Sequence, residues 1–309
     1  HTRYNHWRVC EGEQDNMVPF NNDTEKKVFN NIKKQLPSII HDKCQDYDEF
    51  YGHKLIPGGN GEQFYNEDIA DHLIYKLCKA YQFNETETKT KTIHILNWRR
   101  EFNPLSAGFM EQHDEMFEKI GILTEDRDNE PNKKVITWNL YGQIEDRTKM
   151  FANGQDKKFI RYRIGLMERG INLLDFHDDN NCYMTQIHDY KNVSMIFGMN
   201  AEMKACIKNI VTIFQDYYPE SLYAKYFVNV PTVLAWIYDL LTKFVDKHTR
   251  DKFVVLSSGS KLGKYIKNSP AVGYGGKSKQ SLKEQNNTYI RHTEYGLFLL
   301  QQQSNEEVE

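Results

Sequence analysis

Residues 183–193 read YMTQIHDYKNV. In a strand, side chains alternate between faces, so Met184, Gln186, His188 and Tyr190 share one face and Tyr183, Thr185, Ile187 and Asp189 the other. His188 and Tyr190, two residues apart, then lie roughly 7 Å from each other on one surface. An imidazole and a phenol side by side in a buried position are expensive, because enclosing either without a partner costs about 1–3 kcal/mol. A ligand that uses both groups removes that cost. Asp175, His177, Asp178 and Asp179 are of metal-ligating types, but their place ahead of a strand reads as a solvated turn. Arg99 and Arg100 after Trp98 read as a solvated helix end, with contact to anionic lipid as the alternative. The chain has no GxSxG elbow, P-loop or HExxH run.

Positioning such groups needs a scaffold, and the apolar periodicity supplies its outline. Val28, Phe29, Ile32, Leu36 and Ile39 follow helical spacing after Asp23 or Thr24 as N-cap, with Pro37 expected to break the helix near its end. A glycine-rich loop spans 52–62. A second helix carries Ile69, Leu73, Ile74, Leu77, Cys78 and Tyr81, with Asn84 expected to close it, and a third runs over about 87–101. Strands are expected at 135–141, 183–193, 225–230 and 252–256, with helices over 158–174 and 201–217 between them. That alternation predicts an α/β sheet covered by helices behind a helical N-terminal lobe. The helix expected over 232–244 is apolar through a wider arc than a half-buried helix needs, which suits deep burial or a gate over a lipid pocket. The divisions expected are an extension over 1–21, with Met17 as a candidate native start, a helical lobe over 22–125, an α/β ligand-binding lobe over 126–300 and a polar tail over 301–309.

The bulk composition narrows the class. Of 309 residues, 39% are hydrophobic and 13% aromatic, enough for a core and an internal cavity. A formal charge of −3 argues against a non-specific nucleic-acid binder. No window approaches 18 consecutive apolar residues, and no apolar h-region opens the chain, so neither a membrane span nor export is expected. The five cysteines are scattered, without CxxC spacing, and are expected to be buried free thiols rather than disulfides or zinc ligands.

Four elements, in order, resemble the CRAL-TRIO family: the helix with LCKAYQF, the Tyr217-Tyr218-Pro219-Glu220 element, the strand KYFVNV before Pro231, and PAVGYGGKS over 270–278. CKAYQF, NWRREFNPLS, TWNLYGQ and LYAKYFVNVPTV look closer still to the haem-binding branch of fungal phosphatidylinositol transfer proteins. The resemblance implies a lipid-type pocket under a gate helix. In it, Tyr190 would be the axial ligand of a ferric haem b, His188 its neighbour, and Tyr81 a further residue of the haem pocket. It also implies a headgroup site at Glu220, Thr249 and Lys252. Tyr81 and Gln82 stand where the family has an Arg-Lys pair, and Met184 and Gln186 replace the small hydroxyl residues of its phosphatidylcholine site. Tyrosinate is a hard anionic donor that suits ferric iron.

Two readings follow: a non-enzymatic haem-binding protein on a phosphatidylinositol transfer scaffold, or a phosphatidylinositol transfer protein in which His188 and Tyr190 only line the cavity. A haem enzyme is not expected, because His188 shares a strand face with Tyr190 and cannot supply acid–base chemistry from the opposite side. The family likeness further implies a cytoplasmic protein in peripheral contact with the endoplasmic reticulum or other membranes. The oligomeric state is left open.

Overall fold

The computed structural model describes residues 18–145, 147–193, 200–231, 239, 242–289 and 291–308. Helix α1 (Asp23–Lys43) is capped by Asn22, whose side chain accepts from the Glu25 amide, one residue before the expected caps. It runs straight through Pro37. The exposed proline forfeits one backbone hydrogen bond, while the apolar row Phe29, Ile32, Leu36 and Ile40 continues on both sides of it and keeps the helix packed. Helix α2 (Glu67–Ala80) ends at Tyr81, and Gln82 and Phe83 then take positive φ. Asn84 opens the next helix rather than closing this one: its side chain accepts from the Glu87 amide and caps α3 (Glu85–Phe102). The loop after α1 also holds a short antiparallel pair, β1 (Glu49–Phe50) with β2 (His53–Lys54).

The second layer is a five-stranded sheet in the order β3-β4-β5-β6-β7: β3 (Gly121–Glu125), β4 (Val135–Leu140), β5 (Met184–Asp189), β6 (Leu222–Val228) and β7 (Phe253–Leu256). β3 and β4 are antiparallel; β4 to β7 run parallel. Each parallel step needs a crossover. Following the short α4 (Pro104–Phe109), α5 (Gln155–Ile171) joins β4 to β5, and α6 (Ala201–Tyr217) joins β5 to β6. A last helix, α7 (Glu294–Val308), takes in the polar tail.

The sheet is covered on both sides, as parallel strands require. One face carries Met184, Tyr190 and Phe227 into the large core shared with the N-terminal helices. The other carries Ile136, Trp138, Ile187, Tyr226 and Val228 against Leu262, Ile266 and Tyr274 of the glycine-rich C-terminal segment. Among the described residues Cys44, Cys78, Cys182 and Cys206 are buried free thiols, and no helix is long and apolar enough to cross a membrane. The gate helix expected over 232–244 lies mostly outside the described residues.

Helices α4 and α5 touch backbone to backbone at Gly165, where a Cβ would come within 2.4 Å of the Ala107 carbonyl oxygen. Gly165→Ala must therefore push the helices apart, and a loss of about 1–3 kcal/mol in urea unfolding is expected.

Candidate functional site

β5 ends where two cavities meet. His188 is buried on β5, between Tyr141, which follows β4, and Phe227 of β6; both ring centroids lie 5.4 Å from its own. Parallel pairing sets this up, because His188 is registered opposite Phe227. Arg163 on α5 donates from Nη1 to the Tyr141 hydroxyl at 2.7 Å, and that hydroxyl is 2.9 Å from His188 Nδ1. Arginine can only donate, so the Tyr141 hydroxyl is free to donate its own hydrogen bond to Nδ1, and the imidazole proton then sits on Nε2. His188 Nε2 is buried without a hydrogen-bond partner among the described residues. Burial first, then the nearby Lys225 and Arg163, pull the His188 pKa well below its usual value, so the ring is neutral.

Tyr190 stands just past the end of β5, where its amide donates to the Val228 carbonyl at 3.1 Å, so the strand is shorter than the 183–193 expected. Its ring stacks on Tyr141 at 5.2 Å. Burial and the neighbouring Tyr141 push its pKa well above the usual phenol value, while Arg163 pulls the other way. The phenol is therefore protonated in the ligand-free chain, and only a strong cation would make it a tyrosinate. Tyr141, Arg163, His188, Tyr190, Lys225 and Phe227 contribute to the wall of this inner cavity, closed on the helical side by Ile207, Ile210 and Phe214.

Tyr81, at the C-cap of α2, is not on that wall. It lines the adjoining outer cavity with Gln186, Glu220, Thr249 and Lys252. Val211, Phe214 and Lys225 border both cavities, so the two sets of predicted site residues flank one shared partition. Glu220 takes φ +51, a conformation seldom adopted by non-glycine residues and held here from several sides. Its carbonyl accepts from Lys76 at 2.7 Å and its carboxylate from Tyr183 at 2.6 Å. Burial alone would raise the Glu220 pKa, but the Tyr183 hydrogen bond and the charges of Lys252, Lys76 and Lys79 hold it below the usual carboxylate value. Glu220 is thus an ionised acceptor at the outer cavity, with the Thr249 helix turn and Lys252 beside it.

Two cations at the inner cavity escaped the sequence reasoning. Lys225 lies on the cavity face of β6, and burial plus the proximity of Arg163 lowers its pKa to about 7. Among the described residues neither Lys225 nor Arg163 has an ion-pair partner. Both left a signal: Lys225 alternates with Phe227 in an otherwise apolar strand, and Arg163 sits a turn beyond Phe159 on a helix buried nearly all round.

Two other expectations are corrected. Arg99 is not a solvated helix end but is wholly buried between Glu49 and Glu168. The 175–179 segment is a turn, yet His177 and Asp178 within it are buried; the His177 ring meets His72 edge-on at 5.4 Å, and the described residues contain no metal-ligating cluster.

A helical lobe on a mixed sheet, with cavities between the sheet and a crossover helix, defines a ligand-enclosing α/β protein. Residues 119–276 match the CRAL/TRIO domain, and the chain belongs to the CRAL/TRIO family. It is 55% identical over 295 residues to the phosphatidylinositol transfer protein SFH5 of Vanderwaltozyma polyspora, covering 94% of this chain and 99% of that protein. The protein of the same name in Saccharomyces cerevisiae is 55% identical, over 94% of this chain and 100% of its own length. The crystal structure of Sfh5 superimposes with a TM-score of 0.89 over 94% of this chain and all of its own, at 55% identity.

Proposed function

We propose that this chain is a non-catalytic carrier that encloses ferric haem b in the inner cavity of a phosphatidylinositol transfer scaffold. The observation that carries the reading is the set of unmet demands around one aromatic-walled cavity. Among the described residues His188 Nε2 has no acceptor, and neither Arg163 nor Lys225 has an ion-pair partner. A flat dianionic macrocycle would suit this lining: Arg163 and Lys225 would hold its carboxylates, His188 Nε2 would donate a hydrogen bond to it, and Tyr190 would offer an oxygen to the iron. Bound haem would supply an iron centre that favours the ferric state under a phenolate ligand. Arg163 assists by stabilising negative charge on the Tyr190 and Tyr141 oxygens.

Glu220, Thr249 and Lys252 favour a second occupant. An ionised carboxylate and a lysine at the outer cavity suit the hydroxyls and phosphate of phosphatidylinositol, the lipid in the names of the similar fungal proteins. Either ligand would be exchanged by a cytoplasmic protein touching the endoplasmic reticulum or another membrane peripherally.

Haemin titration of the purified chain, followed by absorption, tests the first occupant. The wild type is expected to give a Soret band with high-spin ferric features, and Tyr190→Phe to lose those features and bind at least ten-fold more weakly. A wild type with the spectrum of free haemin overturns the haem reading. Vesicle-to-vesicle exchange of labelled phosphatidylinositol, run in parallel, then decides whether lipid is the cargo, and Lys252→Ala is expected to slow that exchange.

A further inference from the structure

We propose that Tyr274, acting through Asp189, is a positioning residue for Tyr190; this rests on the reading of Tyr190 as the iron ligand. Asp189 is the last residue of β5 and points to the face opposite His188. It is buried, and three donors converge on its carboxylate: the Tyr274 hydroxyl at 2.5 Å, Asn229 Nδ2 at 2.9 Å and the Lys191 amide at 2.9 Å. The last of these bridges Tyr190 itself, so the side chain of Asp189 fixes the turn that aims the phenol.

Both outer donors are themselves held. Asn229 sits at φ +57, and its side-chain oxygen accepts from the Gly259 amide at 2.7 Å. A Cβ on Gly259 would come within 2.8 Å of the Gly273 carbonyl and 2.9 Å of Asn229 Nδ2, so this approach requires glycine. Tyr274 packs on Trp138 at 5.0 Å, from a segment pinned to itself by the Pro270–Ser278 bridge. On the far side of the turn, a Cβ on Gly142 would strike the Lys191 carbonyl at 1.9 Å, leaving Tyr190's neighbour no room to drift. The glycine-rich segment behind the sheet thus reaches the cavity in front of it through one carboxylate. A ligand held this way is pre-set before the iron arrives.

Full-length Tyr274→Phe, which keeps the ring and removes only the hydroxyl, is the test, with Asp189→Asn as a second variant that retains an acceptor for the Lys191 amide. Haemin affinity is expected to fall on the order of ten-fold in each, with a shifted ferric electron paramagnetic resonance spectrum. In ligand-free Tyr274→Phe, hydrogen exchange at the Lys191 amide is expected to quicken, and less so in Asp189→Asn, whose amide oxygen still accepts from it. A purely structural tie would lower the melting temperature and leave affinity and ferric spectrum as in the wild type; that result overturns the proposal. If wild type and Tyr190→Phe bind haemin alike, the ligand reading is what fails. Wild-type exchange at Lys191 in Tyr274→Phe would then sink the positioning claim as well.

Discussion

Arg99→Leu is expected to cost about 3–5 kcal/mol, read from urea unfolding at neutral pH. The guanidinium gives two bonds to Glu49 on β1, at 2.9 and 2.8 Å, and two to Glu168 on α5, at 3.3 and 2.5 Å. All three side chains have no exposed surface. The cluster therefore joins the hairpin after α1, the third helix and the first crossover helix through one planar fork, a geometry that lysine cannot copy. Leucine would leave two buried carboxylates without their cation; among the described residues Glu49 would keep the Tyr47 hydroxyl and the Gly52 amide as donors. Neither carboxylate could stay charged cheaply. Two buried carboxylates without their shared counter-cation are the source of the expected loss. An Arg99→Leu protein within 1 kcal/mol of wild type would remove the cluster from the account of how the lobes are joined.

Arg99 also shows where a one-dimensional reading stops. Its partners lie 50 and 69 residues away, so nothing local distinguishes it from Arg100, which is only half-buried beside Glu101. What repeats along the chain was legible: apolar residues three and four apart gave α2, α3 and α6, and β-branched runs gave β4 and β6. What depends on distant contacts was not. Pro37 is tolerated because Phe29 and Ile40 are both anchored, which the sequence around Pro37 does not reveal. β3 escaped because GILTE is a five-residue run that becomes a strand only by pairing with β4. At the site, period-two alternation placed His188 and Tyr190 on a common side, and the cavity wall contains both. Tyr81 was assigned through resemblance rather than periodicity, and it faces the neighbouring cavity. The cations were harder to see. Lysine and arginine on a strand or helix read as solvated until the third dimension shows them enclosed.

Lys225 yields the second large prediction, because its replacement should move stability and binding in opposite directions. In the ligand-free chain the amine is held at a pKa of about 7, first by burial and then by Arg163. In the unfolded chain it returns to the ordinary lysine value of about 10.4. Below pH 7 both states are protonated and the folded state bears the whole penalty. Between those values the unfolded chain binds a proton that the folded one lacks, so stability rises with pH; above them the contribution ends. Lys225→Met should therefore be more stable than wild type at pH 6.5, by about 1–3 kcal/mol once the partial exposure of the side chain is discounted, and the advantage should shrink toward pH 10. Lys76, whose pKa is lowered to about 8 chiefly by burial, adds a similar slope to both proteins and cancels in the difference. An anionic ligand reverses the balance. It gains one charge-assisted contact worth about 1.5–3 kcal/mol, so the variant should bind haemin or phosphatidylinositol some ten- to hundred-fold more weakly. With haemin near pH 8, the proton taken up by Lys225 should offset the one that Tyr190 gives up as it becomes a tyrosinate, so the calorimetric heat should depend little on the buffer's ionisation enthalpy; Lys225→Met should keep only the release and show that dependence. A variant that is destabilised equally at pH 6.5 and pH 9 would mean that Lys225 is packing rather than a poised charge, and the anion site would have to be sought around Arg163 alone.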